Sequence, residues 1–185
     1  MDAMVLAAIA KWPNVPAVFG WLRLDARGQW WLREERLNQA AIVDFFRRNY
    51  ARDAEGRYYV QNGPQKVYVT LDAAPYVAQR AAAGWHWLPD VDPGTPRLAL
   101  LDESGRLFVE AGGELAVVDD RDLLALSDGM LRSGDGQPPT AADWTAWQQG
   151  TLPLQLRLPE GSLPLQPLAA ADVSRRYGVV LSPQP

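Results

Sequence analysis

The stretch "DARGQWWL", residues 25–32, sets an acid, a glycine and two adjacent tryptophans in one short run. The carboxylate of Asp25 can accept backbone N–H groups just beyond it, and Gly28 supplies the positive φ that closes a tight turn. Apolar residues flank the turn in a roughly two-residue period, with Val18, Phe19, Trp21, Leu22 and Leu24 before it and Trp30, Trp31 and Leu32 after it. Residues 17–37 therefore read as a β-hairpin. The phrase returns as "DAEGRYYV" from Asp53 and as "DESGRLFV" from Asp102, so one turn device organises three hairpins. Neighbouring strand residues point to opposite faces, which sends one of Trp30 and Trp31 into the core and the other outward or under a helix. Core packing explains the pair better than ligand stacking does.

Outward from these turns the chain alternates strands and short helices. Residues 2–12 form a helix with Met4, Val5, Ala8, Ile9 and Trp12 on one face, ended by Pro13 and Pro16. Asn38 reads as the cap of a second helix whose apolar face carries Ile42, Val43, Phe45, Phe46 and Tyr50. "RYYVQ" and "KVYVTL" are strands joined by "NGPQ", and "DAAPYVAQR" closes the first lobe. The proline-rich "GWHWLPDVDPGTP" reads as a connector. Beyond it lie three strands, then a helix capped by Asp119 or Asp120 and carrying Leu123, Leu124, Leu126 and Met130. After the linker "SGDGQPPT" come a helix with Trp144 and Trp147 on one face, a proline-bearing strand pair expected at a sheet edge, a brief helix and a final strand "VVLSP".

The expected architecture is α+β: repeated β-hairpin-plus-helix units with mostly antiparallel sheets and a short C-terminal β-rich extension. Its segments are an N-terminal lobe (1–80), a connector (81–96), a second hairpin-helix lobe (97–132), and a linker with the extension (133–185), packed as one globular unit. Residues 17–50 and 97–130 are the expected copies of an internal duplication. Trp21, Leu24, Phe45, Phe46, Tyr58, Val67, Val69, Leu107, Val109, Leu123 and Leu124 are expected to be mostly buried.

Composition bounds the function. Hydrophobic content of 48% with 22% charged residues excludes wholesale disorder. Eighteen basic residues against 22 acidic ones give a net charge of −4, and basic residues cluster only as Arg47-Arg48 and Arg175-Arg176. Nucleic acid is therefore not an expected partner. The absence of cysteine excludes disulfides, thiolate catalysis and cysteine metal sites. Asp2 and Lys11 bracket the apolar start in a pattern unlike a secretory signal, and no run approaches the roughly 20 apolar residues that span a bilayer. A cytoplasmic protein without membrane contact is expected.

The middle of the chain resembles a bacterial family known only as domain of unknown function number 1285. Gly28 with Trp30, Phe45 with Phe46, and Gly56 with Tyr58 carry the resemblance, followed by Gly63, Pro64, Gln65, Lys66, Val67 and Val69. Asp72, Ala74, Pro75, Tyr76 and Val77 complete it over roughly residues 28–77. Gln65 stands where the family has glutamate, and "DAAP" is one residue longer than the family's "DAP". The resemblance implies an α+β fold with repeated motifs and a suggested role in signalling, and it supplies no catalytic residue. Closer uncharacterised bacterial relatives are also implied.

Chemistry-bearing residues are few. His86, the one histidine, lies between Trp85 and Trp87 with Asp90 and Asp92 nearby. Asp119, Asp120 and Asp122 precede a helix and are better explained by capping than by calcium. "QNGPQK", residues 61–66, offers more polar groups than a hairpin turn needs. No phosphate loop, dinucleotide glycine pattern, nucleophile elbow or zinc-protease helix occurs, and no catalytic, cofactor-binding or metal-binding residue is expected. The leading expectation is a non-enzymatic binding or regulatory domain that recognises a small molecule or protein at the lobe junction. Its site would gather Gln61, Asn62, Lys66, Trp85, His86 and Trp87. One alternative is a hydrolase or transferase using His86 with Asp90 or Asp92. Another is an oligomeric scaffold in which residues 152–168 pair between chains.

Overall fold

The structure, a computed structural model, describes residues 1–82 and 84–185. The repeated turn is the same object three times. Oδ1 of Asp25, Asp53 and Asp102 accepts the N–H groups two and four residues on, at 2.8–3.0 Å. Each aspartate's backbone oxygen also accepts the glycine N–H at 3.0–3.2 Å. Gly28, Gly56 and Gly105 take φ of +75°, +80° and +81°, as that closure requires.

In chain order the elements are α1 (Ala3–Lys11), β1 (Val18–Leu24), β2 (Trp30–Leu32), β3 (Glu35–Arg36), α2 (Ala40–Arg48), β4 (Tyr50–Arg52), β5 (Tyr58–Asn62) and β6 (Gln65–Leu71). Then follow β7 (Tyr76–Ala81), β8 (Gly84–Leu88), β9 (Leu98–Asp102), β10 (Leu107–Ala111) and β11 (Glu114–Val118). A 3₁₀ turn (Asp120–Asp122), α3 (Leu123–Ser127), β12 (Met130–Arg132), α4 (Ala141–Gln148), β13 (Leu154–Leu158), β14 (Gly161–Leu168) and α5 (Ala170–Tyr177) complete the chain. The strands form two mostly antiparallel sheets, ordered β3-β2-β1-β6-β5-β4 and β12-β13-β14-β9-β10-β11-β7-β8.

The two sheets share a plan. In the first, the hairpin β1–β2 is followed by the meander β4–β5–β6, whose last strand lies parallel to β1. In the second, the hairpin β7–β8 is followed by the meander β9–β10–β11, whose last strand lies parallel to β7. A shift of 49 residues (102 minus 53) carries Asp53 to Asp102, Gly56 to Gly105, Arg57 to Arg106 and Gly63 to Gly112. Register is preserved, since Tyr50↔Val60 becomes Ala99↔Val109 and Tyr59↔Tyr68 becomes Phe108↔Val117. The shared plan of pairings spans residues 18–71 and 76–118, not the expected units 17–50 and 97–130. The helix is not part of the repeat: α2 sits inside the first copy, while proline-bearing loop 89–97 takes its place in the second.

This plan corrects the expected segments. Residues 84–88 of the expected connector are strand β8, and "YVAQR" opens the second sheet instead of closing the first lobe. The C-terminal strands continue the second sheet beyond β9, within the chain rather than between chains. β14 is also not an edge. It pairs with β13 over residues 161–165 and with β9 over residues 165–168, so only Leu165 has partners on both sides. Pro164 and Pro167 each stand where one flank is free, which is how an interior strand tolerates residues without a donor.

One core lies between the sheets, where Leu22, Leu24, Trp30, Tyr58 and Val69 meet Val77, Leu100, Phe108, Leu115 and Val117. The second core lies on the far face of the second sheet, where Ala99, Leu107, Val109, Ala116 and Val118 meet Leu126 of α3 and Trp147 of α4. The second sheet is buried on both faces, which accounts for its nearly continuous apolar strands. Trp147 also donates its indole N–H to the Leu165 oxygen at 2.7 Å. After α5 the tail returns to the first sheet, with Val180 N–H on the Gly56 oxygen (3.0 Å) and Leu71 N–H on the Leu181 oxygen (2.8 Å). It makes one bridge, Val180 to Arg57, in place of the expected final strand.

Leu24, Tyr58, Val69, Leu107 and Val109 are buried as expected, and Phe45, Phe46, Val67 and Leu123 are half-buried against the cores. Trp21 and Leu124 are exposed, at 46% and 84%. Helix α3 is only five residues long, so it buries Leu126 and leaves Leu124 in water, and Met130 lies in β12 rather than in a helix. Asn38 does not cap α2: Gln39 holds that position, and the Asn38 side chain accepts from Arg36 Nε at 2.7 Å. Asp119 caps the 3₁₀ turn by accepting the Arg121 N–H, and not α3, whose N-cap residue Asp122 makes no side-chain cap bond. Among the described residues no helix is long and apolar enough to cross a membrane.

Candidate functional site

A bulge in β1 shapes a largely apolar hollow. Val18 pairs with Val67 and Leu22 with Val69, so three residues of β1 (Phe19, Gly20, Trp21) have no partner in β6. Gly20, at φ +71°, absorbs the irregularity. Such bulges redirect side chains. Here Trp21 comes to the rim of a cavity of about 510 Å³ beneath α2. Val18, Leu22, Val60 and Val67 of the first sheet form its floor, and Leu37, Ile42 and Phe46 wall it from the α2 side. Leu32, 42% exposed, shares the rim with Trp21. Asn62 and Gln65, directly opposite in the β5–β6 ladder, supply its polar groups. This is the composition of a small-molecule site, in which apolar walls meet a few polar groups within about 300–1,000 Å³.

The outer side of the first sheet is a layer of aromatic rings each paired with a cation. Arg23 lies 4.6 Å over Trp31 and Lys66 4.7 Å over Tyr59, and at the rim of the hollow Arg33 lies 3.7 Å over Trp21. Trp31 also donates its indole N–H to Asp25 Oδ2 at 2.8 Å. Beside them Phe19 stacks on Tyr68 at 4.5 Å, and the Tyr68 hydroxyl donates to Asp53 Oδ2 at 2.9 Å. Burial by itself would raise the Asp53 carboxyl, but bonds from Arg57, Tyr68 and the Glu55 N–H outweigh it and hold the pKa at about 2. Asp119, bonded chiefly by the Arg121 side chain, is likewise held at about 2. A depressed folded pKa stabilises above the unfolded value, near 4, and the contribution is lost as pH falls through the folded value. Stability should therefore decline from about pH 4 toward pH 2. Urea midpoints across that range should fall less steeply in Asp53→Asn than in wild type, and parallel slopes would rule the carboxylate out as a source.

A family model, DUF2944, described as "Protein of unknown function (DUF2946)", matches residues 1–184. The chain belongs to this family. Among solved structures, the chain is similar to a DUF1285 family protein from Silicibacter pomeroyi DSS-3, with 18% identity and a TM-score of 0.52. That match covers 90% of this chain and 96% of the other. A second DUF1285 family protein, from Shewanella baltica OS155, has 14% identity and a TM-score of 0.42 over 57% of this chain and 88% of the other. No curated protein matches. The first likeness shows a shared fold, the one implied by the phrases over residues 28–77.

In this DUF2944 family chain the six expected site residues do not meet in one cavity. Asn62 lines the hollow under α2, whereas Trp85 lines a separate one of about 560 Å³ with Asp92, Thr95 and Glu160, and the two share no lining residue. Gln61 is buried and donates from Nε2 to the Gly63 oxygen at 3.0 Å. Lys66 lies over Tyr59 on the outer side of the first sheet. Trp87 is buried against Tyr76 at 6.0 Å between ring centroids. His86 is exposed on edge strand β8, with Asp90 Oδ1 at 4.0 Å from Nε2. The Trp85 hollow is already internally engaged, because Arg80 covers the Trp85 ring at 4.7 Å and is bridged to Glu160. Sequence reasoning therefore found Asn62 but missed Trp21, Leu32, Ile42, Phe46 and Gln65 as parts of one site. The available signal was Gly20, a glycine inside a strand pattern, which marks a bulge. Among the described residues, no three metal-ligating side chains gather.

Proposed function

We propose that the protein is a binding module whose site is the hollow under α2, taking a small molecule with an apolar body. The observation that carries the reading is the exposed apolar rim of Trp21 and Leu32 above a floor of core residues. Exposed large apolar side chains that border a concavity mark binding sites more often than scattered ones do. An enzymatic role for His86 has only Asp90 in support, with both side chains more than half exposed. General-base chemistry needs a positioned substrate as well as a charge partner, and His86 does not line the hollow beside Trp85.

Titration with the apolar dye N-phenyl-1-naphthylamine tests the reading. Wild type should enhance the dye's fluorescence saturably, with one site per chain. Ile42→Trp, which places an indole in the cavity from a half-buried position on α2, should abolish the enhancement while leaving the urea midpoint nearly unchanged. Undiminished dye binding in that variant, or none in wild type, removes the hollow as a binding site.

A further inference from the structure

We infer that the ligand of this hollow is electrically neutral and enters with a carboxamide-type head, a donor beside an acceptor, held by Asn62 and Gln65. The inference rests on the binding role proposed above and names the chemistry it serves.

Every side chain lining the hollow is uncharged. An ion transferred there would lose its hydration without gaining a charged partner, a cost that neutral ligands avoid. Two nearby cations are turned elsewhere. Arg33 covers the Trp21 ring and borders an adjacent hollow with Phe19, Arg23 and Thr70. Lys66 follows Gln65 in the strand, so it points to the opposite face, where it covers Tyr59.

The head group follows from what the two amides leave free. Gln65 Nε2 donates to the Pro16 oxygen at 3.0 Å, which anchors the side chain to the α1–β1 loop and fixes its orientation. Its Oε1 remains as an acceptor. Asn62 has no side-chain hydrogen bond among the described residues and offers both a donor and an acceptor. The two residues face each other across the ladder, where opposite Cβ atoms stand about 5 Å apart. One ligand head can therefore span both. A primary or secondary amide satisfies the pair: its N–H donates to Gln65 Oε1 and its C=O accepts from Asn62 Nδ2. A carboxylate, which only accepts, sets its charge against Gln65 Oε1. A plain hydrocarbon makes no bond to either amide and leaves exposed Asn62 to water.

Octanamide and octanoate have the same chain and differ in one head atom. Displacement of N-phenyl-1-naphthylamine from wild type at pH 7.5 should need at least tenfold less octanamide than octanoate. Asn62→Lys places a cation at the polar end and should reverse the order, while Asn62→Leu, which removes one partner of the amide head, should raise the octanamide needed at least threefold and leave octanoate the weaker ligand. Octanoate displacing the dye as well as octanamide does from wild type overturns the inference. So does a preference that stays the same in Asn62→Lys. Failure of the binding role itself reads out differently, as dye enhancement that Ile42→Trp does not change, and it removes both conclusions together.

Discussion

Gly56→Ala should destabilise the protein by about 3 kcal/mol or more, while Gly105→Ala, at the equivalent position of the repeat, should cost about 1 kcal/mol. Both glycines close the same Asp-x-x-Gly turn, at φ +80° and +81°, so the backbone penalty of a side chain is common to the two. Their surroundings differ. A Cβ on Gly56 would stand 1.8 Å from the Gly178 oxygen, whereas one on Gly105 would meet nothing within 4 Å. The obstacle at Gly56 is backbone, held in place by Arg52 Nη2 on the Tyr177 and Gly178 oxygens at 2.9 and 3.0 Å. It cannot yield without losing the adjoining bond from Val180 N–H to the Gly56 oxygen. Gly28→Ala should fall between the two, because its Cβ would meet Leu88 Cδ1 at 3.0 Å, the end of a side chain that can rotate. Urea unfolding of the three variants gives the order directly. Equal losses at Gly56 and Gly105 would mean that the tail does not rest on the second turn.

The same comparison explains what could be read in the sequence. The turns were legible because their chemistry is local: an aspartate, two N–H groups and a glycine within five residues. The shared meander turn was also visible in "DAEGR" and "DESGR", yet reading hairpin-then-helix along the chain pairs residues 17–50 with 97–130. Hydrogen-bond order, which joins β1 to β6 and β7 to β11 across long connections, is not written in any local pattern. Prolines misled twice. In β14 they occupy flanks where the neighbouring strand has not begun or has already ended, a fact of register rather than of composition. After "WHWLP" they hid a strand whose alternation, His86 out and Trp87 in, is visible in hindsight. At the candidate site, Asn62 drew notice as polar surplus in a turn. The tryptophan that frames the hollow did not, since regular alternation puts Trp21 on the face opposite Leu22 and Leu24. Only the bulge at Gly20 brings it round.

Trp30→Ala should cost about 3–5 kcal/mol, and Trp31→Ala about 1 kcal/mol. The two neighbours in "DARGQWWL" separate completely. Trp30 is 1% exposed and sits edge-on to Phe46 at 5.3 Å and to Tyr50 at 5.7 Å, so it ties α2 to the space between the sheets. Its removal leaves a cavity that a sheet on each side cannot close, and cavity cost adds to lost burial. Trp31 is half-buried on the outer side, and its truncation gives up one hydrogen bond to Asp25 and the stacked Arg23, both groups that water can solvate. The pair also separates in function. Phe46 walls the candidate hollow, so loss of its Trp30 contact should loosen α2 and weaken N-phenyl-1-naphthylamine binding at least tenfold even where the variant remains folded. Trp31→Ala should bind the dye within about twofold of wild type. Unfolding and dye titrations of both variants test the assignment together. A Trp31→Ala protein that loses as much stability as Trp30→Ala would place the outer aromatic layer, rather than the α2 anchor, at the centre of the first lobe's stability.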